Sequence, residues 1–214
     1  MHTNAFIISR TTFAIIFSLT YSFCAQAGSF SSTFNTSTYS GTNARLAFDF
    51  IGGDGNIHNS VIVSNFFTDG SLGSPTNIGD VTGILPATST LQSTSFFNEI
   101  LQPIALGNAI GFDLNISEFI DAGATLPDAL SVFLLDGNNQ PLFNTTDPTG
   151  ANALFVVSID GSTPGGLNVY IATPGISSPM VWSVSTVPEP SALQLTIAGL
   201  VGFGFSRFRK RHHD

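Results

Sequence analysis

Leu46, Phe48 and Phe50 recur at every second position of the run Arg45 to Ile51. A period of two gathers these side chains on one face of a strand, whereas a helix would scatter them around its axis. A second run, Val61 to Phe67, follows Gly52-Gly53-Asp54-Gly55-Asn56, a cluster with the chemistry of a tight hairpin turn. Strands are also expected at Phe30 to Phe34, Ala109 to Ile116, Leu130 to Leu135, Ala153 to Ile159, Leu167 to Ala172 and Met180 to Ser185, each bounded by Gly, Pro, Asn or Asp. Only Ser95 to Leu101 carries apolar residues at a spacing of three to four, which predicts one short helix or turn over a sheet edge. The expected fold is all-β, a two-sheet β-sandwich of jelly-roll type, flanked by an N-terminal signal helix and a short C-terminal transmembrane helix. Asp69 to Thr94, rich in Gly, Ser, Thr and Pro, reads as a long loop, either binding or mobile. No repeat of fixed period is present, which argues against a solenoid or propeller.

The 159 residues from Gly28 to Thr186 suffice for one domain with a real core. In that stretch one basic residue, Arg45, stands against twelve acidic ones, a formal charge of −11. Such a surface cannot neutralise phosphates, so nucleic acid is excluded as a partner and docking of this domain on anionic lipid is disfavoured. Cys24 is the only cysteine, so the stretch after it has no disulfide, thiol nucleophile or thiolate metal site. Stability must come from packing.

Candidate chemistry is sparse. His58 is the only histidine between Gly28 and Thr186, within the Gly/Asn-rich turn, and no nucleophile elbow accompanies it. It reads as a solvated turn residue. Glu99 with Glu118 or Asp113 is a conceivable carboxylate pair, since glycoside hydrolysis needs two acids at fixed separation, but twelve scattered acids read first as surface charge. Asp54 with Asn56, and Asp136 with Asn138, put oxygens on tight turns, which suits either ordinary turn formation or a structural Ca²⁺. No other cofactor is expected. Trp182, Tyr39 and Tyr170 are the rings suited to a sugar platform, with Trp182 the first candidate.

Both ends carry export chemistry. Arg10 precedes an apolar stretch, Phe13 to Phe23, and Ala25-Gln26-Ala27 supplies the small residues that signal peptidase requires, so residues 1–27 read as a signal peptide and Gly28 as the mature start. Tyr21-Ser22-Phe23 is too bulky for a lipobox, which leaves Cys24 in the discarded segment. At the other end, residues 187–214, Pro188-Glu189-Pro190 stands before an uncharged span, Ser191 to Ser206. As a helix its sixteen residues reach about 24 Å, against a hydrocarbon core of about 30 Å. That is short for residence. A basic stop follows in Arg207, Arg209, Lys210 and Arg211, and its charge keeps this end on the cytoplasmic side. A plain membrane anchor is the other reading, but it leaves the Pro-Glu-Pro triplet unexplained.

Val187-Pro188-Glu189-Pro190-Ser191, the glycine-bearing apolar span and the basic stop together resemble the PEP-CTERM sorting signal of Gram-negative bacteria. Such tails also bear the label of an ice-binding protein C-terminal domain, which implies no activity. The resemblance implies an exosortase as partner, which would cut near the triplet and release or transfer the chain to the exterior, where proteins of this kind are tied to exopolysaccharide. Leu46-Ala-Phe-Asp-Phe50, Gly79-Asp-Val-Thr-Gly83, Phe97-Asn98-Glu99 and Val132-Phe-Leu-Leu-Asp-Gly137 resemble in their order a group of PEP-CTERM exoproteins of about this length, which implies one domain and no catalytic residue. The expectation is an exported, non-enzymatic surface or matrix protein, transiently held in the inner membrane and then surface-bound or extracellular. It would be structural or adhesive in an exopolysaccharide matrix; a carbohydrate-binding module is the alternative, and a carbohydrate-active hydrolase a third.

Overall fold

The computed structural model describes residues 26–56, 58–119, 123–159, 166–173 and 181–186. Among them the strands are β1 (Gln26–Asn35), β2 (Asn43–Ile51), β3 (Ser60–Thr68), β4 (Ser71–Leu72), β5 (Thr76–Ile78), β6 (Val81–Gly83) and β7 (Ser89–Gln92). Then come β8 (Phe97–Ala105), β9 (Ala109–Glu118), β10 (Asp128–Leu135), β11 (Phe155–Ile159), β12 (Gly166–Val169) and β13 (Val181–Thr186). The single helical turn among these residues is the 3-10 turn Ser37–Tyr39. One antiparallel sheet runs β13-β1-β9-β3-β7-β6 and the other β12-β11-β10-β2-β8-β4, with β5 also paired to β8. The chain is all-β, and the two sheets form a sandwich. Residues 1–25 of the expected signal peptide (1–27) and all of the expected sorting tail (187–214) lie outside the described residues, as do Asp121 and Asp160. No helix among the described residues is long and apolar enough to cross a membrane.

Alternation builds the core. Leu46, Phe48 and Phe50 of β2, Leu130, Val132 and Leu134 of β10, and Phe155, Val157 and Ile159 of β11 face inward from one sheet. Phe30 and Phe34 of β1, Val61 and Val63 of β3, and Ile110, Phe112, Leu114 and Ile116 of β9 meet them from the other. β3 would break this pattern if it alternated strictly, because position 65 would then point inward. Asn65 instead takes φ 50° at a bulge where the pairing with β9 slips between Ser64 and Phe67. One extra residue re-aims the chain. Phe66 enters the core at 8 % exposure while Phe67 stays 52 % exposed. The Phe67 ring lies over Gly111, where an added Cβ would come within 2.0 Å of it.

Three expectations are corrected. Gly52 to Asn56 is not a hairpin: β2 and β3 belong to different sheets, so this segment arches from one layer to the other. Ser95 to Leu101 is not helical; it is a turn running into β8, whose residues alternate in burial, and the apparent spacing comes from Phe96 and Phe97 straddling that junction. Asp69 to Thr94 is not a structureless loop, because it folds into β4, β5, β6 and β7. β3 holds β7, which carries β6, and β8 holds the first half. β4 pairs with Ala105 and Ile104, and β5 pairs with Leu101, Ile100 and Glu99, leaving Gln102 and Pro103 in the gap. A proline fits only where its missing N–H is not wanted by a neighbouring strand. There the Gln102 side-chain amide donates to Gly73 O (2.8 Å), and Gly73 N donates to Pro103 O (2.9 Å).

Asn98 anchors the same segment. Fully buried, it accepts from Asp80 N (2.7 Å) and donates to Phe50 O (3.2 Å) and Ser95 O (2.8 Å). Asn98→Ala would leave buried backbone groups without partners, which costs about 2 kcal/mol. Urea denaturation reads this directly, and a loss below about 0.5 kcal/mol would mean that Asn98 is a passive filler.

Candidate functional site

Antiparallel pairing sends three connections to one end of the sandwich: the β2–β3 arch, the β7–β8 turn and the β9–β10 connection. They are knotted together by hydrogen bonds. Asn59 is central: its N–H donates to Ser93 Oγ (2.8 Å), its amide donates to Phe119 O (2.9 Å) and Asp128 Oδ2 (3.0 Å), and its Oδ1 accepts from Phe119 N (2.8 Å). Asp128, buried at the start of β10, also accepts from Gly53 N (2.6 Å). Gly52 N donates to Phe96 O (2.9 Å). The backbones approach so closely that a Cβ on Gly53 would lie 2.0 Å from Leu126 O, and one on Gly52 2.8 Å from Ser93 O. Held on this rigid base, Phe96, Leu126 and Phe119 project with exposures of 73 %, 61 % and 46 %. The sequence reading missed all three. Phe96 falls in the segment expected as one short helix or turn, and Phe119 and Leu126 lie at strand ends, where apolar side chains carry no periodic signal.

Asp54 and Asn56 lie on the arch, and Asp136 and Asn138 on the turn after β10. Because Ile51 pairs with Ala129 and Arg45 with Leu135, these turns stand at opposite ends of the β2–β10 pair. Each carboxylate is engaged by its own surroundings. Asp54 accepts from Thr125 Oγ1 (2.5 Å), Thr125 N (2.8 Å) and Leu126 N (2.9 Å), and the Thr125 hydroxyl above all holds its pKa below the usual carboxylate value. Asp136 accepts from Gln140 N (2.9 Å) and Asn138 N (2.7 Å), which lower its pKa in the same order. Asp69 takes Ala109 N (2.9 Å), Asn108 N (2.7 Å) and the Asn108 amide (2.8 Å), with a lowered pKa. Desolvation opposes ionisation of Asp147, yet donors from Thr149 and Ala153 outweigh it and the net shift is downward. These aspartates clamp loops. Among the described residues no three His, Cys, Asp or Glu side chains gather as a metal site would require.

A carboxylate pair does form, but with another partner. Glu99 lies on β8 in one sheet, while Asp113 and Glu118 lie on β9 in the other. Directly opposite Glu99 across the β2–β8 ladder stands Asp49. Burial pushes the Asp49 pKa from 3.8 up to about 7, assisted by the Glu99 charge and by a hydrogen bond between the two carboxyls. Asp49 Oδ1 is enclosed with no donor, so protonation of Asp49 removes a buried charge that nothing there pairs. Reading Ser95 to Leu101 as helix placed Glu99 out of register; the signal that finds this pair is two strands whose outward positions both carry acids.

The remaining candidates separate. His58 is exposed on the arch. Tyr39 stacks on Phe143, with ring centroids 5.7 Å apart, as part of the packing. Tyr170 follows β12 beside Asp147, and burial first and that charge second raise its pKa. Trp182 falls on β13 opposite Phe34. An open groove of about 390 Å³ at the far end of β2 is lined by Arg45, Ser71, Leu72, Pro103 and Gly137, among others. Its arginine already donates to Asn139 Oδ1 and sits near Asp136. No protein-family model, curated protein or solved structure matches the chain.

Proposed function

We propose that the chain is an exported, non-enzymatic module that works as a structural or adhesive component of the cell exterior. On this reading the sandwich is of jelly-roll type, signal peptidase acts at Ala25 to Ala27, and the tail beginning at Pro188 is a PEP-CTERM signal handed to an exosortase. The observation that carries the non-enzymatic reading is the use made of the acids. Asp54, Asp69, Asp128, Asp136 and Asp147 each accept hydrogen bonds that tie loops or turns, as a rigid scaffold requires. Asp49 and Glu99 stand directly opposite each other on neighbouring strands of one sheet, not on two sides of a cleft that could take a glycosidic bond between them. A polysaccharide-binding module is favoured by one feature, the groove at Arg45.

A pull-down with the producer's own exopolysaccharide separates the two. The scaffold reading expects no saturable binding; saturable binding that Arg45→Ala weakens tenfold would replace it with the binding-module reading. Mass spectrometry of the secreted protein tests the tail, and the expected C-terminus lies near Pro188 to Pro190. A secreted form still ending at Asp214 would refute processing.

A further inference from the structure

We infer that the outward face of the sheet carrying β2, β8 and β10 is a self-association surface, on which a second copy of this chain packs about a two-fold axis through Ala47. The inference goes beyond the scaffold reading and does not depend on the tail. The two outward faces of the sandwich differ in kind. On the sheet carrying β1 and β9 the outward positions include Ser29, Ser31 and Thr33, with Asp113, Asn115 and Ser117 beside them. Water suits that face. On the other sheet they include Ala47 and Ile51 of β2, Phe97 and Leu101 of β8, and Phe133 and Leu135 of β10, which alternate with the core set and pair across the ladder. From Ala129 to Leu135 only Ser131 is polar, and strands with such near-continuous apolar runs are those covered on both faces.

Charge and register name the occupant. Arg45, the one Lys or Arg side chain from Gly28 to Thr186, stands two positions before Ala47, and Asp49, with Glu99 opposite it, stands two positions after. A two-fold axis lying in the interface, across the strands and through the Leu101, Ala47 and Phe133 row, therefore lays Arg45 of each copy against Asp49 and Glu99 of the other. The surface is complementary to itself. Arg45 gives a donor to Asn139 Oδ1, one of the five N–H groups of a guanidinium. Of the twelve acids from Gly28 to Thr186, only Asp49 and Glu99 occupy outward positions on β2, β8, β10 and β11. The face thus stands apart from most of the acidic charge, whose repulsion between copies is screened beyond about 8 Å at physiological salt.

The area suffices for a dimer. The strands β11, β10, β2, β8 and β5 lie side by side, about 4.8 Å apart and over about seven residues, a flat area of about 500 Å² on each copy. Side-chain relief adds to it. Two copies together bury about 1,000 Å² or more, which reaches the size of a specific interface. Sheets packed face to face keep their strands within about 30° of each other, so the register about Ala47 is preserved.

The test uses the full chain in detergent micelles, with the protein mass read by light scattering. The wild type should weigh two chains. Leu101→Arg should weigh one, since it sets a charge in the central row without touching the core, whereas Thr33→Arg, exposed on the opposite outward face, should remain a dimer. A wild-type monomer, or a dimer that Leu101→Arg leaves intact, overturns the inference; association through the apolar ends of the chain would give the second result. Circular dichroism reads the fold of each variant. Where Leu101→Arg unfolds, Arg45→Asp probes the same surface and should weaken the dimer at least about tenfold, and an unweakened dimer overturns the inference. Arg45→Lys reads the axis, because it supplies an amine for carbodiimide cross-linking in a mixture of ¹⁴N- and ¹⁵N-labelled chains. Links from position 45 of one copy to Asp49 or Glu99 of the other are expected. Links confined to one copy, links to other acids only, or no link at all overturn the two-fold packing.

Discussion

Phe112→Ala will cost the domain about 4 kcal/mol of stability, a large share of the roughly 5–15 kcal/mol that a domain holds in reserve. Phe112 is fully buried on β9 and touches aromatic rings from both sheets. Phe48 meets its ring edge-on at 4.9 Å between centroids, Phe34 stacks at 5.6 Å, and Phe66 and Phe155 lie at 6.4 and 6.5 Å. Truncation removes the transfer free energy of the ring and leaves a cavity whose walls are themselves rigid rings, so collapse into it is poor. Aromatic pair terms are lost as well. Urea denaturation gives the loss directly. Ile84→Ser, at a site 63 % exposed, should change stability by less than about 0.5 kcal/mol; equal losses for the two variants would mean that Phe112 is not the inter-sheet hub.

Stability should fall as pH rises from 5 to 8, by about 2 kcal/mol. The Asp49 pKa is 3.8 without the fold's influence and about 7 within it, so across this window the folded chain holds a proton that the unfolded chain releases. A shift of that size corresponds to roughly 4 kcal/mol, halved here because the side chain is partly open to solvent. Asp54, Asp69, Asp136 and Asp147 act in the opposite sense. Their lowered folded pKa values give stability that is present above about pH 4 and lost as pH falls further. A maximum near pH 5 follows. Asp49→Asn carries no titrating proton, so it should flatten the decline and exceed the wild type at pH 8. A wild-type stability that rises between pH 5 and 8 would refute the raised Asp49 pKa, whose first cause is burial and second the Glu99 charge.

The eight strand segments expected from alternation and turn residues all lie in or across observed strands. The inward set expected of Arg45 to Ile51, namely Leu46, Phe48 and Phe50, is the inward set found. Local pattern sufficed because a period of two is a property of the strand alone. It failed where a long-range partner decided the outcome. Phe66 and Phe67 are indistinguishable in sequence, and the bulge at Asn65 against β9 chooses between them. The segment from Asp69 to Thr94 looks structureless because its strands are two to four residues long; they exist only because β8 offers an edge to β4 and β5, and β3 offers one to β7, on which β6 pairs.

The candidate sites divide the same way. Asp136 was legible as a turn residue, since its bonds to Asn138 N and Gln140 N are local chemistry, whereas Asp54 caps Thr125 and Leu126, 71 and 72 positions away. Asp49 and Glu99 lie fifty positions apart in sequence, and only the β2–β8 register makes them neighbours. Phe96, Phe119 and Leu126 come from separate connections, and only antiparallel closure brings them to one end. By itself the sequence determined the β class, the inward faces of the long strands, the acidic surface and the export chemistry expected of the termini, because each follows from periodicity or composition. The tertiary structure alone decided which phenylalanine is core, which carboxylates stand opposite each other and which loop tips come to one end of the sandwich, because each depends on strands that meet only after folding.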